Sequence, residues 1–249
     1  MQVSRILRFT GIGVLLLVLA VGPFFRGLFF WTELLTAIAL LGLGFAAWVL
    51  GRRVEGLPLS LSGGVAGLAL MALLGCYLVQ FVWAVFPRGN LDWVLRVAAA
   101  VMAYVMVRAE SGPALRRWLG WTFVVSAAAV GVLGFLEYSG FLLKDPELAK
   151  MLSLVNLNTR MFTSFQYPNT AAAYFLAAAF AAVGLGLEEI RPLRLGIAAG
   201  FVAFLFLAFF FTISRGALVV LPFGLVLFFA GLDREKRWPA LLVLVVAVV

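Results

Sequence analysis

Histidine is absent from this sequence, and cysteine occurs once, as Cys76. The first absence removes the most frequent general base and the most frequent metal ligand. The second rules out an intrachain disulfide and a thiolate metal centre. Charge is also scarce, at 12% of 249 residues, and only 11 residues are acidic. There is no GxxxxGK[ST] phosphate loop, no dinucleotide fingerprint and no carboxylate cluster of metal-ligand spacing, so nothing in the pattern calls for a nucleotide, a cofactor or a metal.

What remains is hydrocarbon. With 65% apolar residues and a mean hydropathy of +1.12, the chain has too little polar surface to cover a water-soluble domain. Apolar runs of roughly 17 to 25 residues recur, the length a helix needs to cross a bilayer, without the two-residue alternation of barrel strands. The pattern predicts an all-α, polytopic transmembrane helical bundle. Its spans are expected at 6–25, 28–50, 63–86, 91–107, 118–137, 169–187, 195–213 and 216–232, with an incomplete ninth beginning near Pro239. The last run is about half of what a span requires. Residues 1–249 therefore read as one transmembrane domain, the front portion of a longer protein, with a loop at about 138–168.

Arg5 and Arg8 followed by an apolar stretch imitate a secretory signal, but further spans follow and no small-x-small cleavage site closes the run, which favours an uncleaved first helix. The net charge of +8 falls in the connections between spans rather than on one hydrophilic face, so it reports orientation and not nucleic-acid binding. With the N-terminus in the cytoplasm, Arg52, Arg53, Arg116, Arg117, Arg191, Arg194, Arg234 and Arg237 fall inside, as the positive-inside rule asks. The 138–168 loop then faces outward.

Two polar marks interrupt the apolar pattern. One is Arg160 to Thr170, ending in Phe165-Gln166-Tyr167-Pro168-Asn169-Thr170; the other is Thr212-Ile213-Ser214-Arg215-Gly216. Pro168 suits a first helical turn, and Asn169 and Thr170 can serve the amides left free there. Gly216 opens the eighth span in the same direction. Each helix start has its positive dipole end beside an arginine, Arg160 or Arg215, an arrangement suited to a phosphate or carboxylate. The competing reading makes Arg215 a snorkelling side chain at a tight turn. Glu33, Gln80, Asp92, Arg96 and Glu137 lie toward the outer ends of other spans, where they either border one cavity or are explained locally, Asp92 and Arg96 by pairing along one helix face.

The first mark resembles the Phe-x-x-Pro-Asn-x-x-Ala signature of the O-antigen ligase and O-antigen polymerase superfamily, and Thr212-Ile213-Ser214-Arg215-Gly216-Ala217 resembles its Ser-Arg-Gly signature. Their order, spacing and outward placement carry the likeness. The resemblance implies a glycosyltransferase of bacterial envelope polysaccharide biosynthesis in the inner membrane. Such an enzyme moves a saccharide from an undecaprenyl-pyrophosphate carrier to an acceptor hydroxyl on a glycan, lipid or protein, without cofactor or metal. Arg215, Arg160, Ser214 and Asn169 are then the residues that hold the pyrophosphate. Members also carry a late outer loop with a histidine and a further arginine, which this sequence lacks. No catalytic residue is assigned, and a base must come from elsewhere or from Glu33, Asp92 or Glu137. The alternative is a transporter or flippase of lipid-linked or anionic solutes, in which the same arginines bind cargo.

Overall fold

The computed structural model describes residues 2–28, 30–59, 64–110, 112–141, 144, 147, 160–188 and 191–248. Most of the expected outer loop, 142–143, 145–146 and 148–159, lies outside the described residues. Regular structure among the described residues is helical throughout: α1 (Gln2–Val21), α2 (Trp31–Val54), α3 (Gly64–Gln80), α4 (Pro87–Ala109), α5 (Pro113–Tyr138), α6 (Pro168–Gly186), α7 (Pro192–Phe211), α8 (Arg215–Gly231) and α9 (Arg234–Val248). The fold is an all-α polytopic bundle. Among the described residues seven helices, α1 to α7, are long and apolar enough to cross a membrane once the 3-10 turns that continue α1 to Phe24 and α3 to Trp83 are included, while α8 is apolar, 17 residues long and has no such extension.

Several helices reach beyond the apolar runs that predict them, and proline explains most of the excess. Pro87, Pro113, Pro168 and Pro192 each stand first in their helix, where a missing N–H costs nothing and the fixed φ is already helical. α4 and α5 therefore start in polar sequence several residues ahead of their hydrocarbon. The ninth helix does not begin near Pro239. It begins at Arg234 and contains Pro239, because its first turns are polar and carry no hydropathy signal.

The chain divides into two compact units, residues 1–18 with 28–116 and residues 19–27 with 117–249. In the first, α2 and α3 both pack on α4. α1 crosses α2 at glycines: a Cβ on Gly51 would lie 2.6 Å from the Ser4 carbonyl oxygen and 2.9 Å from the Arg8 amide nitrogen, and one on Gly11 would collide with the Gly44 carbonyl. Close backbone approach through small residues is how membrane helices gain contact when burial from water is not on offer. One end of this unit is tied by charge. Glu110, just past α4, accepts from Trp48 Nε1 at 3.1 Å, Arg52 Nη1 at 3.1 Å and Arg8 Nε at 3.3 Å, and Arg8 also pairs with Glu55. Arg52, buried, donates further to the Pro58 and Ala109 carbonyls.

In the second unit α6 is the innermost helix, with 56% of its apolar window buried. It packs on α7, and α9 packs on α7 as well. Phe175, Val183, Val202, Leu205 and Phe209 are fully enclosed among the alanines of α6. Those alanines let the α7 phenylalanines approach, so bulk comes from one helix and room from the other.

Candidate functional site

The two polar marks meet in the second unit. Tyr167 is extended (φ −130°, ψ 110°) and Pro168 opens α6; Ser214 is extended (φ −84°, ψ 100°) and precedes α8. Ser214 Oγ accepts from the Ala217 amide at 3.2 Å, an N-cap bond that satisfies one of the donors left open at a helix start. The same hydroxyl donates to Asn169 Oδ1 at 2.9 Å. One serine thus ties the first turn of α8 to the first turn of α6. The amides of Arg215 and Gly216 have no hydrogen bond among the described residues.

Residues 161–166 support this junction. The Met161 amide donates to the Phe211 carbonyl at 2.8 Å, fastening the segment to the end of α7. Ser164 Oγ donates to the Pro23 carbonyl at 2.8 Å, and the Phe165 amide to Thr163 Oγ1 at 3.3 Å. Below lies Gly134 of α5, where a Cβ would stand 2.7 Å from both Met161 Sδ and Thr163 Cγ2. The Phe165 ring sits where a side chain on Gly27 would go, with the Tyr174 ring 5.1 Å away. Gly27 has φ +61°, so glycine is required there for its backbone as well as for its size.

Backbone strain gathers at the same place. Thr163 (φ 59°), Gln166 (φ 58°) and Ile213 (φ 50°) are left-handed without being glycine, as is Arg26 (φ 51°). For a β-branched residue such as Ile213 this is a true outlier, held only because neighbouring bonds over-determine it. Thr212, beside it, is fully buried and donates to the Phe209 carbonyl at 2.6 Å.

Burial divides the polar groups into two sets. Thr163, Ser164, Thr212 and Ser214 are buried and hydrogen-bonded inward, whereas Arg160, Asn169 and Arg215 are exposed. Arg160 lies over the Phe162 ring at 5.1 Å. Neither Arg160 nor Arg215 makes an ion pair or a side-chain hydrogen bond among the described residues. The junction therefore sets two helix starts on a hydrogen-bonded backing, with Arg215 first in α8 and Arg160 next to Met161. Guanidinium groups and helix starts are chemically suited to an anion.

Of the other expected residues, Glu137 belongs to this unit. It is buried in the last turn of α5, one turn beyond Gly134. Glu33, Gln80, Asp92 and Arg96 belong to the first unit. There Arg96 Nε donates to Asp92 Oδ2 at 3.2 Å along α4 and Arg96 Nη1 to the Leu28 carbonyl at 3.1 Å, so local pairing accounts for both. Glu33 accepts from Thr32 Oγ1 at 2.8 Å in the first turn of α2, and Gln80 is the exposed last residue of α3.

Arg26 is not among the residues that the sequence singles out. It stands between Pro23, whose carbonyl Ser164 holds, and Gly27, against which Phe165 packs. The available signal was proline and glycine bracketing an arginine between two apolar runs. Comparison with protein-family models, with curated proteins and with solved structures gives no match to this chain.

Proposed function

We propose that the junction of α6 and α8 binds the pyrophosphate of a polyprenyl-linked saccharide, as the donor site of a membrane glycan transferase of the O-antigen ligase and polymerase kind. The observation that supports this reading is the Ser214–Asn169 hydrogen bond of 2.9 Å, which joins two motifs 45 residues apart. Arg215 and Arg160 fork onto phosphate oxygens bidentately and keep their charge at every physiological pH. The open amides at the head of α8 add partial positive charge in the same place. When an acceptor hydroxyl attacks the anomeric carbon, the glycosidic C–O bond to pyrophosphate breaks and negative charge builds on the leaving group. Fixed cations there favour the transition state over the ground state.

In this reading the N-terminus is cytoplasmic, the site faces the outer side of a bacterial inner membrane, and the acceptor is a glycan, lipid or protein hydroxyl. Two measurements test it. Undecaprenyl pyrophosphate binding to the detergent-solubilised chain should weaken about tenfold or more in Arg215→Ala, the usual loss of a charge-assisted contact, and less in Arg215→Lys. Unchanged binding would remove Arg215 from the site. In a Cys76→Ser background, a cysteine placed at Lys144 should react with an impermeant maleimide from outside intact cells; reaction only after lysis would reverse the orientation.

A further inference from the structure

The first unit contains a cleft built from none of the residues of the α6–α8 junction. Ser4, Arg5 and Arg8 of α1, with Val54, Glu55 and Leu57 at the end of α2, line a cleft of about 450 Å³, within the range of about 300 to 1,000 Å³ usual for small-molecule pockets. Its walls are preformed. The α1–α2 crossing at Gly51 brings the two backbones into contact beside Ser4 and Arg8, and Arg8 is fixed by Glu55 and Glu110.

Charge favours an anion there even though a carboxylate lines the wall. Arg5, Arg8, Arg52, Arg53 and Arg108 stand at this end of the unit against Glu55 and Glu110, five cations against two anions. The carbonyl ends of α2 and α4 subtract about half a charge each and the amide end of α1 returns about half. A clear positive excess remains. Glu55 is engaged by Arg8, whereas Arg5 is exposed on the cleft wall with no ion pair or hydrogen bond among the described residues.

The opposite wall is apolar, with Val54 70% exposed beside Leu57. α1, α2 and α4 are all of membrane-crossing length and end here. We propose that this cleft holds the phosphate of an anionic phospholipid, the headgroup oxygens on Arg5 and the glycerol and first methylenes on Val54 and Leu57. The site needs neither α6 nor α8, so its test is independent of donor binding.

The experiment is native mass spectrometry of the full chain in mild detergent, titrated with phosphatidylglycerol, phosphatidylcholine or inorganic phosphate. Phosphatidylglycerol should be retained in preference to phosphatidylcholine, and Arg5→Ala should reduce that retention about fivefold, the usual contribution of one basic residue at an anionic lipid surface. Arg5 lies outside the Glu55–Glu110 network, so this substitution leaves the fold intact. Arg234→Ala, an exposed arginine of the other unit, should change nothing. Equal retention of the two lipids, or equal losses in Arg5→Ala and Arg234→Ala, would overturn the site. Inorganic phosphate bound as tightly as phosphatidylglycerol would overturn the lipid assignment.

Discussion

The arginines of the two units are held in opposite ways. In the first unit Arg8 and Arg52 converge on Glu110, with Trp48 donating to the same carboxylate, and the charges close on one another. In the second, the junction is fastened by neutral groups, Ser214 to Asn169, Ser164 to Pro23 and Met161 to Phe211, while Arg160 and Arg215 have no carboxylate among the described residues. A buried ion pair is a weak source of net stability but is expensive to break, because one partner is left charged in a poor solvent. A guanidinium backed by a neutral scaffold carries no such liability and keeps its donors for a ligand. Position in a network, more than residue type, separates the arginines that hold Glu110 from those that pair with no carboxylate among the described residues.

Substitutions should therefore rank in opposite orders for stability and for binding. Glu110→Ala should have the largest effect on folding, about 3 to 5 kcal/mol, read as a drop in the thermal or denaturant midpoint in detergent, because buried Arg52 loses its ion-pair partner. Donor binding by the molecules that remain folded should be unchanged; parallel loss of both would erase the contrast. Gly134→Ala comes next. Its methyl must displace Met161 and Thr163, an overpacking cost of about 1 to 3 kcal/mol, and both midpoint and binding should fall.

Ser214→Ala removes a helix cap worth about 1 kcal/mol together with the bond to Asn169. A small shift in midpoint should accompany a several-fold loss of undecaprenyl pyrophosphate affinity, and Ser214→Thr should restore most of both. Arg215→Ala should leave the midpoint where it is, since the side chain is exposed and has no partner among the described residues, while removing the largest share of donor affinity. If Arg215→Ala instead lowers the midpoint as Glu110→Ala does, the distinction between the two kinds of arginine fails.

Hydropathy made the spans legible, since each apolar run is long enough to require a helix and no alternation competes. It could not set the helix ends. Pro87 and Pro113 start their helices in polar sequence, and Arg234 starts α9 ahead of Pro239, because a helix continues wherever its backbone is satisfied and not only where its side chains are greasy. The motif residues were legible as types: a proline that opens α6, a serine that caps α8, an arginine beside it. Their union was not, because the Ser214–Asn169 bond depends on how two helices enter the bundle. The Ser164–Pro23 contact spans 141 residues and the Arg52–Glu110 pair 58, and nothing local in either sequence announces the partner. The expectation of one cavity rimmed by five polar residues also came from span ends alone. Asp92 and Arg96 pair along α4, the local alternative that their four-residue spacing already offered, and Glu137 lies in the unit of the motif segment.

Ile213, held left-handed between a buried threonine and a capping serine, works as a gauge block. Only Thr212, Ile213 and Ser214 separate the end of α7 from the start of α8, and that fixed spacing sets the rotational phase of everything downstream. One residue inserted at Ile213 would leave the hydropathy profile almost unaltered, yet it would disturb the link that seats the Ser214 hydroxyl between the Ala217 amide and Asn169. Two chains indistinguishable by composition and span pattern would then differ in whether this serine reaches Asn169, so the length of the link between α7 and α8 separates them where hydropathy does not.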